Sequence, residues 1–315
     1  MKSISAKRLQ EMKLPEPDYI IDGIIAEGYT ILSAPRKIGK SWLAVQMCYA
    51  VATGGTVLGR KVIKGQAIYI TLEETMKMSA SRQRKTWGDV KAPDDMYYVY
   101  DCKKIDEGFI EELDKLIAHE HMDNVRLVVI DILGKIDSSM QRGEDAYHKD
   151  YRVGSILKEW TKDKGVAVVA ITHVSKKKID DDPYGNTMGT GGVTGSADTI
   201  VTIQKKGKNK ATMSVIGRSL PEIDIDMRLE NCVWVTDVPD FQESPICKAV
   251  MMIAEDGEYK RVTSTEIIKC GGLELKAKEV GEFLVHNADA FKEIGIDLAV
   301  KSNGNGANYY LVRRI

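Results

Sequence analysis

Cysteine is scarce in this chain. Five thiols, Cys48, Cys102, Cys232, Cys247 and Cys270, lie far apart in 315 residues. There is no CxxC pair and no Cys/His grouping at zinc spacing, which argues against a structural metal centre. An odd number of isolated cysteines suits a reducing cytosol. Long apolar runs are also missing: none approaches the roughly 18 residues that a membrane-spanning helix needs. The opening stretch "MKSISAKRLQEMKLPEPDY" has no apolar core of signal-peptide length. A soluble, cytoplasmic protein without a membrane partner is expected. Charge of one sign is not in excess either. Lys and Arg number 45, Asp and Glu 46, and the net charge is -1. Any basic surface must therefore come from local clustering. No internal repeat is visible.

The apolar fraction of 43% is ordinary for a globular protein and supplies a sizeable core. The length is comfortable for two domains. The first residues read as a polar helix ending before Pro15 and Pro17. Beyond them strands and helices alternate. "YTILSA" is a short apolar strand, and "SWLAVQMCYAVATG" has helical spacing with Gly54 as its stop. "QAIYITLEE" is the next strand, "EGFIEELDKLIAHEH" an amphipathic helix, and "VRLVVID" an apolar strand. "GSILKEWTKDKG" is a helix ending at Gly165, and "VAVVAITHV" is another buried strand. Continuously apolar strands alternating with helices predict an α/β fold, a mainly parallel sheet covered by helices on both faces. The segment "SKKKIDDDPYGNTMGTGGVTGS", Ser175 to Ser196, breaks the pattern; a polar, glycine-rich loop of that length is usually functional or mobile. "DTIVTIQKK", "KATMSVIG" and "NCVWVTD" then alternate like antiparallel strands, and "DVPDFQESP" reads as a linker.

The chemistry begins at "TILSAPRKIGKSWLA". Ala34, four residues, then Gly39-Lys40-Ser41 matches the phosphate-binding loop G-x-x-x-x-G-K-[ST] except at its first glycine. Such a loop needs a strand, a tight turn rich in backbone donors, and a helix whose N-terminus favours negative charge. All three are expected here. Ala34, Pro35, Arg36, Lys37, Ile38, Gly39, Lys40, Ser41 and Trp42 form the nucleotide-binding stretch. Lys40 is placed to reach the β- and γ-phosphates of ATP, and Ser41 to ligate Mg²⁺. Ala34 can replace glycine if its φ is negative, so a working site is expected.

Nucleotide hydrolysis also needs an acid near the metal and a carboxylate to orient water. Asp131 ends the buried strand "RLVVID", at the edge where open α/β sheets bind ligands, and is the second Mg²⁺ candidate. "AIYITLEET" ends in Glu73 and Glu74. Following directly on the loop's helix, this strand is expected beside the loop strand, with Glu73 polarising the attacking water and Glu74 the alternative. Thr172 and His173 end "AITH", where His173 is a candidate sensor of the γ-phosphate.

In this order these residues resemble the RecA-like hexameric ATPases, specifically the RepA/DnaB-type helicase branch of plasmids and phages, over roughly residues 15 to 238. "ILSAPRKIGKSWLA" resembles that branch's Walker A, "YITLEET" its catalytic-glutamate strand, "LVVID" its Walker B and "ITHVSK" its switch motif. "GTGGVTGSADTIVTI" resembles the segment closing the DNA-facing loop. "VIGRSLPEIDIDMRLE" resembles the late strand that presents an arginine finger to the neighbouring subunit, which maps to Arg218. The resemblance implies an ATP- and Mg²⁺-dependent ATPase that assembles into a ring, a hexamer in that branch, and acts on single-stranded or forked DNA as a replicative helicase of a mobile element. A nucleotide-gated replication initiator or helicase-loading scaffold is the alternative. In a ring the loop lysines Lys176, Lys177 and Lys178 would face DNA phosphates, offset by Asp180, Asp181 and Asp182, with Tyr184 the loop's only aromatic.

The boundaries expected are 1–240 for the ATPase domain and 241–315 for a second, small domain. In the latter, "SPICKAVMMIAED" is a helix, "STEIIKC" a second with Ser264 as its cap, and "LKAKEVGEFLVHNADAFKEIG" a third helical region. "IDLAVKSNGNGANYYLVRRI" is a hairpin. The order is that of a winged helix and resembles the one following some phage ATPases of this branch. Lys276 and Lys278 would open its recognition helix, and Lys301, Arg313 and Arg314 would lie in its wing. From Ile246 onward ten basic residues face ten acidic ones, so DNA binding and docking of a replication protein stay equally open.

Overall fold

The computed structural model describes residues 3–12, 18–173, 191–218, 220, 222–236, 241, 244–254, 257–302 and 308–315. The chain divides into two compact units, Met1–Asp237 and Val238–Ile315.

The first unit is built on one nine-stranded sheet. Its strands and main helices, in chain order, are β1 (Gly28–Ala34), α1 (Lys40–Thr53), β2 (Gln66–Thr71), α2 (Met76–Trp87), β3 (Met96–Val99), α3 (Phe109–His119), β4 (Val125–Asp131), α4 (Ala146–Thr161), β5 (Ala167–His173), α5 (Gly191–Ser196), β6 (Thr199–Gly207), β7 (Lys210–Gly217), β8 (Ile223–Glu230) and β9 (Val233–Thr236). The order across the sheet is β9-β8-β7-β6-β1-β5-β4-β2-β3. From β6 to β3 every pairing is parallel, whereas β6 to β9 form an antiparallel meander.

Successive residues of the parallel strands point to opposite faces and enter two separate cores. Leu32, Tyr69, Val129 and Ile171 pack with Leu43, Met47 and Val51 of α1. Ile31, Ile70, Val128 and Val168 pack with Phe109, Leu113, Val153 and Leu157 of α3 and α4. Both faces are covered, which is why these strands read as unbroken apolar runs. Local signals set the helix ends. α1 is entered through Gly39 and left through Gly54, both left-handed. Thr75 caps α2 and Asp145 caps α4 through side-chain bonds to the backbone of Met78 and His148.

Two expectations are corrected. Strand β2 does not lie beside β1; β5 and β4 stand between them. The connection from β1 to β2 runs through the whole of α1, long enough to pass two strand positions, and β4 and β5 fill the gap. Glu73 and Glu74 lie beyond the end of β2, which stops at Thr71. Lys176 to Lys178, Asp180 to Asp182 and Tyr184 lie outside the described residues. Among the described residues no helix is long and apolar enough to cross a membrane.

The second unit runs α6 (Pro245–Ile253), β10 (Lys260–Val262), α7 (Ser264–Gly271), α8 (Ala277–His286), α9 (Ala288–Glu293), β11 (Ile296–Ser302) and β12 (Asn308–Arg314). Its three strands form an antiparallel sheet in the order β10-β12-β11. Ile246, Val250, Ile267, Val280, Leu284 and Phe291 make its core. Thr263, not Ser264, caps α7: its hydroxyl and Glu266 form a reciprocal capping box. The single helical region expected at 275–295 is two helices, broken at Asn287.

Candidate nucleotide site

Because β1, β5, β4 and β2 are parallel, their carboxyl ends share one edge. Ala34 is opposite His173, and Asp131 is opposite Ile171 on one side and Thr71 on the other. The loop between β1 and α1 lies on that edge and borders a cleft of about 490 Å³. Residues Arg36 to Trp42 line the cleft on one side; Glu73, Arg82, Asp131, Ile132, His173 and Leu229 complete it.

The loop's backbone answers the question set by Ala34. Its left-handed residues are Lys37 (φ 62°) and Gly39 (φ 109°); Ala34 is not among them. Ala34 is the last residue of β1, fully buried and extended. A methyl group therefore fits where the motif's first glycine stands. Gly39 is required twice over: its φ is left-handed, and a Cβ there would come within 3.2 Å of the Trp234 indole.

Lys40 is buried and its ammonium is fully directed. It donates to the carbonyls of Ala34 and Pro35, each at 3.3 Å, and to Nδ1 of His173 at 2.8 Å. An ammonium has no acceptor, so Nδ1 of His173 accepts and the ring proton sits on Nε2. The electrostatics agree. Burial, then the charges of Lys40 and Arg36, pull the His173 pKa below its ordinary value and keep the ring neutral. Burial also lowers the Lys40 pKa, while Asp131 and Glu73 oppose that shift.

Ser41 and Asp131 meet as the sequence pattern suggests. Ser41 Oγ donates to Asp131 Oδ2 at 2.7 Å. Tyr69 OH, buried in β2, donates to the same oxygen at 2.8 Å. Among the described residues no cluster of three or more His, Cys, Asp or Glu side chains forms a protein-only metal cage. One hydroxyl and one carboxylate on hard oxygen suit Mg²⁺, which keeps several waters and takes its other ligands from substrate phosphates. The donor set fits that ion.

The two glutamates have different surroundings. Glu74 is engaged by the Arg82 guanidinium, which reaches both its carboxylate oxygens, and Ser79 Oγ lies at 3.5 Å. Glu73 is exposed and borders the cleft. Arg82 itself lies over the Trp42 ring, 4.1 Å from its centroid. Its place between Trp42 and Glu74 had no signature in the sequence.

The back of the loop is also held by residues with no sequence signal. Trp234 in β9 donates from Nε1 to the Gly39 carbonyl at 3.1 Å. The Gln46 side-chain amide bonds both backbone groups of Trp234, at 2.8 and 3.0 Å. A strand almost 200 residues further along the chain thus supports the loop.

Arg218 is not in the cleft. It occupies the turn after β7 rather than a strand, because β7 ends at Gly217 where the chain reverses. Its backbone N–H donates to the Asp198 carbonyl at 2.9 Å. Its guanidinium stands 3.8 Å from the Asp198 carboxylate, with 65% of the side chain exposed. Gly217 is opposite Thr199, and Thr199 opposite Thr30. That places Arg218 at the amino end of the parallel strands, about 20 Å of strand from the loop.

In the second unit Lys278 pairs with Glu282 at 3.7 Å, both well exposed. Arg313 pairs with Asp297 at 3.0 Å and lies over the Tyr259 ring. Lys276 precedes α8, with its N–H bonded to Glu279 at 2.8 Å. Lys301 and Arg314 lie on β11 and β12 and are exposed.

A parallel sheet carrying a glycine-lysine-serine loop and a strand-end aspartate on one edge is the architecture of a P-loop ATPase. The chain belongs to the AAA domain family, whose model matches residues 1–178. No curated protein matches the chain. Among solved structures it is similar to a KaiC-like protein from the hyperthermophilic archaeon Pyrococcus horikoshii OT3. The identity is 15% and the TM-score 0.46, covering 70% of this chain and 95% of that one.

Proposed function

We propose that this protein is an ATP- and Mg²⁺-dependent ring ATPase acting on DNA, a replicative helicase of a phage, plasmid or other mobile element. The observation that carries the nucleotide half is the single edge on which Lys40 bonds His173 and Ser41 bonds Asp131, with Glu73 bordering the same cleft. Lys40 binds the β- and γ-phosphates, exchanging its contacts with Ala34, Pro35 and His173 for phosphate oxygens. Ser41 and Asp131 hold Mg²⁺, which supplies charge neutralisation on those oxygens. Glu73 orients the attacking water; Glu74, tied to Arg82, does not. His173, released from Lys40 when phosphate arrives, reports the nucleotide to the segment that follows β5.

The DNA half is supported by the sequence resemblance of the "TLEE", "THVSK" and "GTGGVTGSADTIVTI" segments to the RepA/DnaB branch. In that reading Arg218 serves the site of a neighbouring subunit, and the ring is a hexamer. Its exposure and its distance from its own cleft support a role in trans. The helix and strand order of the second unit supports a winged helix, which binds DNA or a replication protein.

The test is the ATPase rate with and without single-stranded DNA, measured alongside the oligomeric mass and the unwinding of a forked duplex. Stimulation by DNA, a ring mass and strand separation are expected. Stimulation without unwinding would move the reading to a loader or initiator. A rate indifferent to DNA would leave an ATPase with no nucleic-acid role.

A further inference from the structure

Asp131 is held in an unusual way for a strand-end carboxylate, because two hydroxyls from different elements converge on one of its oxygens. Ser41 approaches Oδ2 from the first turn of α1, and Tyr69 approaches it from β2. The two donors differ in what holds them. Ser41 belongs to the first turn of α1, directly behind the loop that would meet a nucleotide. Tyr69 belongs to the sheet. Its side chain is fully buried, and its ring meets the Tyr98 ring edge-on at 5.7 Å. β2 pairs directly with β4, and Tyr69 is opposite Val129, two residues before Asp131.

We propose that Tyr69 is a positioning residue for the metal site: it fixes the rotation of the Asp131 carboxylate, so that the same oxygen stays bonded to protein whatever Ser41 does. This rests on the reading of Ser41 and Asp131 as Mg²⁺ residues. A carboxylate turns about its Cβ–Cγ bond unless something holds one oxygen. A metal ion on Ser41 Oγ would take a lone pair and leave its O–H donating to Asp131, but the direction of that bond would follow the position of Ser41 around the nucleotide. The Tyr69 bond then remains as the anchor supplied by the rigid sheet. Partners that orient a ligand in this way are commonly worth 10- to 100-fold in metal affinity.

Tyr69→Phe removes the hydroxyl and keeps the ring that packs on Tyr98. The probe is Mn²⁺ in place of Mg²⁺, followed by its electron paramagnetic resonance signal in the presence of a slowly hydrolysed ATP analogue. A fluorescent ATP analogue is titrated in parallel with and without metal. Tyr98→Phe is the control, since it deletes a neighbouring buried hydroxyl that is not bonded to Asp131. Tyr69→Phe is expected to weaken Mn²⁺ binding about 10-fold or more, with nucleotide affinity in chelator unchanged. Tyr98→Phe is expected to leave both unchanged. Wild-type Mn²⁺ affinity in Tyr69→Phe, or an equal loss with and without metal, would overturn the proposal. Wild-type protein that binds the analogue no better with metal than without would remove the Mg²⁺ assignment itself. That outcome is distinct from a failure of Tyr69 alone.

Discussion

The two ends of the parallel strands handle charge in opposite ways. At the carboxyl end Lys40 and Asp131 are buried, and each has short, directed partners within the same unit. At the amino end Asp198 gathers the backbone N–H of Tyr29, the ammonium of Lys158 and, more loosely, the guanidinium of Arg218. Arg218 alone of these cations is mostly exposed. A buried lysine must be fully paired because desolvation is expensive. An exposed arginine 3.8 Å from a shared carboxylate gains little from that contact and is available to another molecule. The contrast separates charges fully paired within their own unit from an arginine that stays mostly exposed.

The largest effects fall at the carboxyl end. Lys40→Ala should abolish nucleotide binding or hydrolysis, since it deletes the charge that faces the phosphates; wild-type turnover in that variant would remove the site. Glu73→Gln should keep nucleotide affinity and lose hydrolysis, whereas Glu74→Gln should keep hydrolysis. The reverse result would mean that the Arg82 pairing leaves Glu74 free to act.

Next comes Arg218→Ala. Turnover should fall by about 10³-fold while nucleotide affinity per subunit holds. Mixing sharpens the test. Subunits lacking Arg218 but retaining Glu73 should be partly rescued by subunits lacking Glu73 but retaining Arg218. Mixed assemblies that form yet recover no activity would show that the arginine does not act across an interface.

A smaller effect is expected from packing near the amino end. Gly154 in α4 sits against α5 and β1, where a Cβ would come 2.8 Å from Ser196 Cβ and 3.0 Å from Tyr29 Cε1. Gly154→Ala should cost about 1–3 kcal/mol through overpacking, read as a lower denaturant midpoint with nucleotide affinity retained. Loss of nucleotide affinity at equal stability would mean that the two ends are coupled.

The smallest effect concerns pH. The folded-state pKa of His173 is depressed below its unfolded value near 6.5. The unfolded chain therefore takes up this proton first, and stability falls as pH drops from the unfolded pKa toward and through the folded one. His173→Asn should show a weaker fall in melting temperature between neutral and acidic pH than the wild type. Parallel curves would show that His173 does not titrate against Lys40.

The alternation of apolar strands with helices was legible in the sequence because a parallel sheet buried on both faces needs unbroken apolar runs. The loop was legible because Gly39, Lys40 and Ser41 are contiguous. Asp131 and His173 could be placed because each ends such a run, and parallel strands bring their ends to one edge. Whether β2 stood beside β1 was not legible, since adjacent placement and a crossover past two strands use the same local pattern. Nor were Tyr69, Arg82, Gln46 and Trp234 visible as site residues. Each reads locally as an ordinary strand or helix position, and each acquires its partner from an element distant in the chain.

The sequence by itself determined the strand-loop-helix unit, the apolar periods that make the sheet, and the charged and hydroxyl groups available at its edge. These depend on neighbours within a few residues, where backbone geometry is nearly independent of the rest of the fold. Only the tertiary structure decided which glutamate faces the cleft, which oxygen of Asp131 is held, what supports Gly39 from behind, and at which end of the sheet Arg218 stands. Those outcomes depend on strand order and on contacts across up to 195 residues. Such contacts form only once the whole sheet has closed.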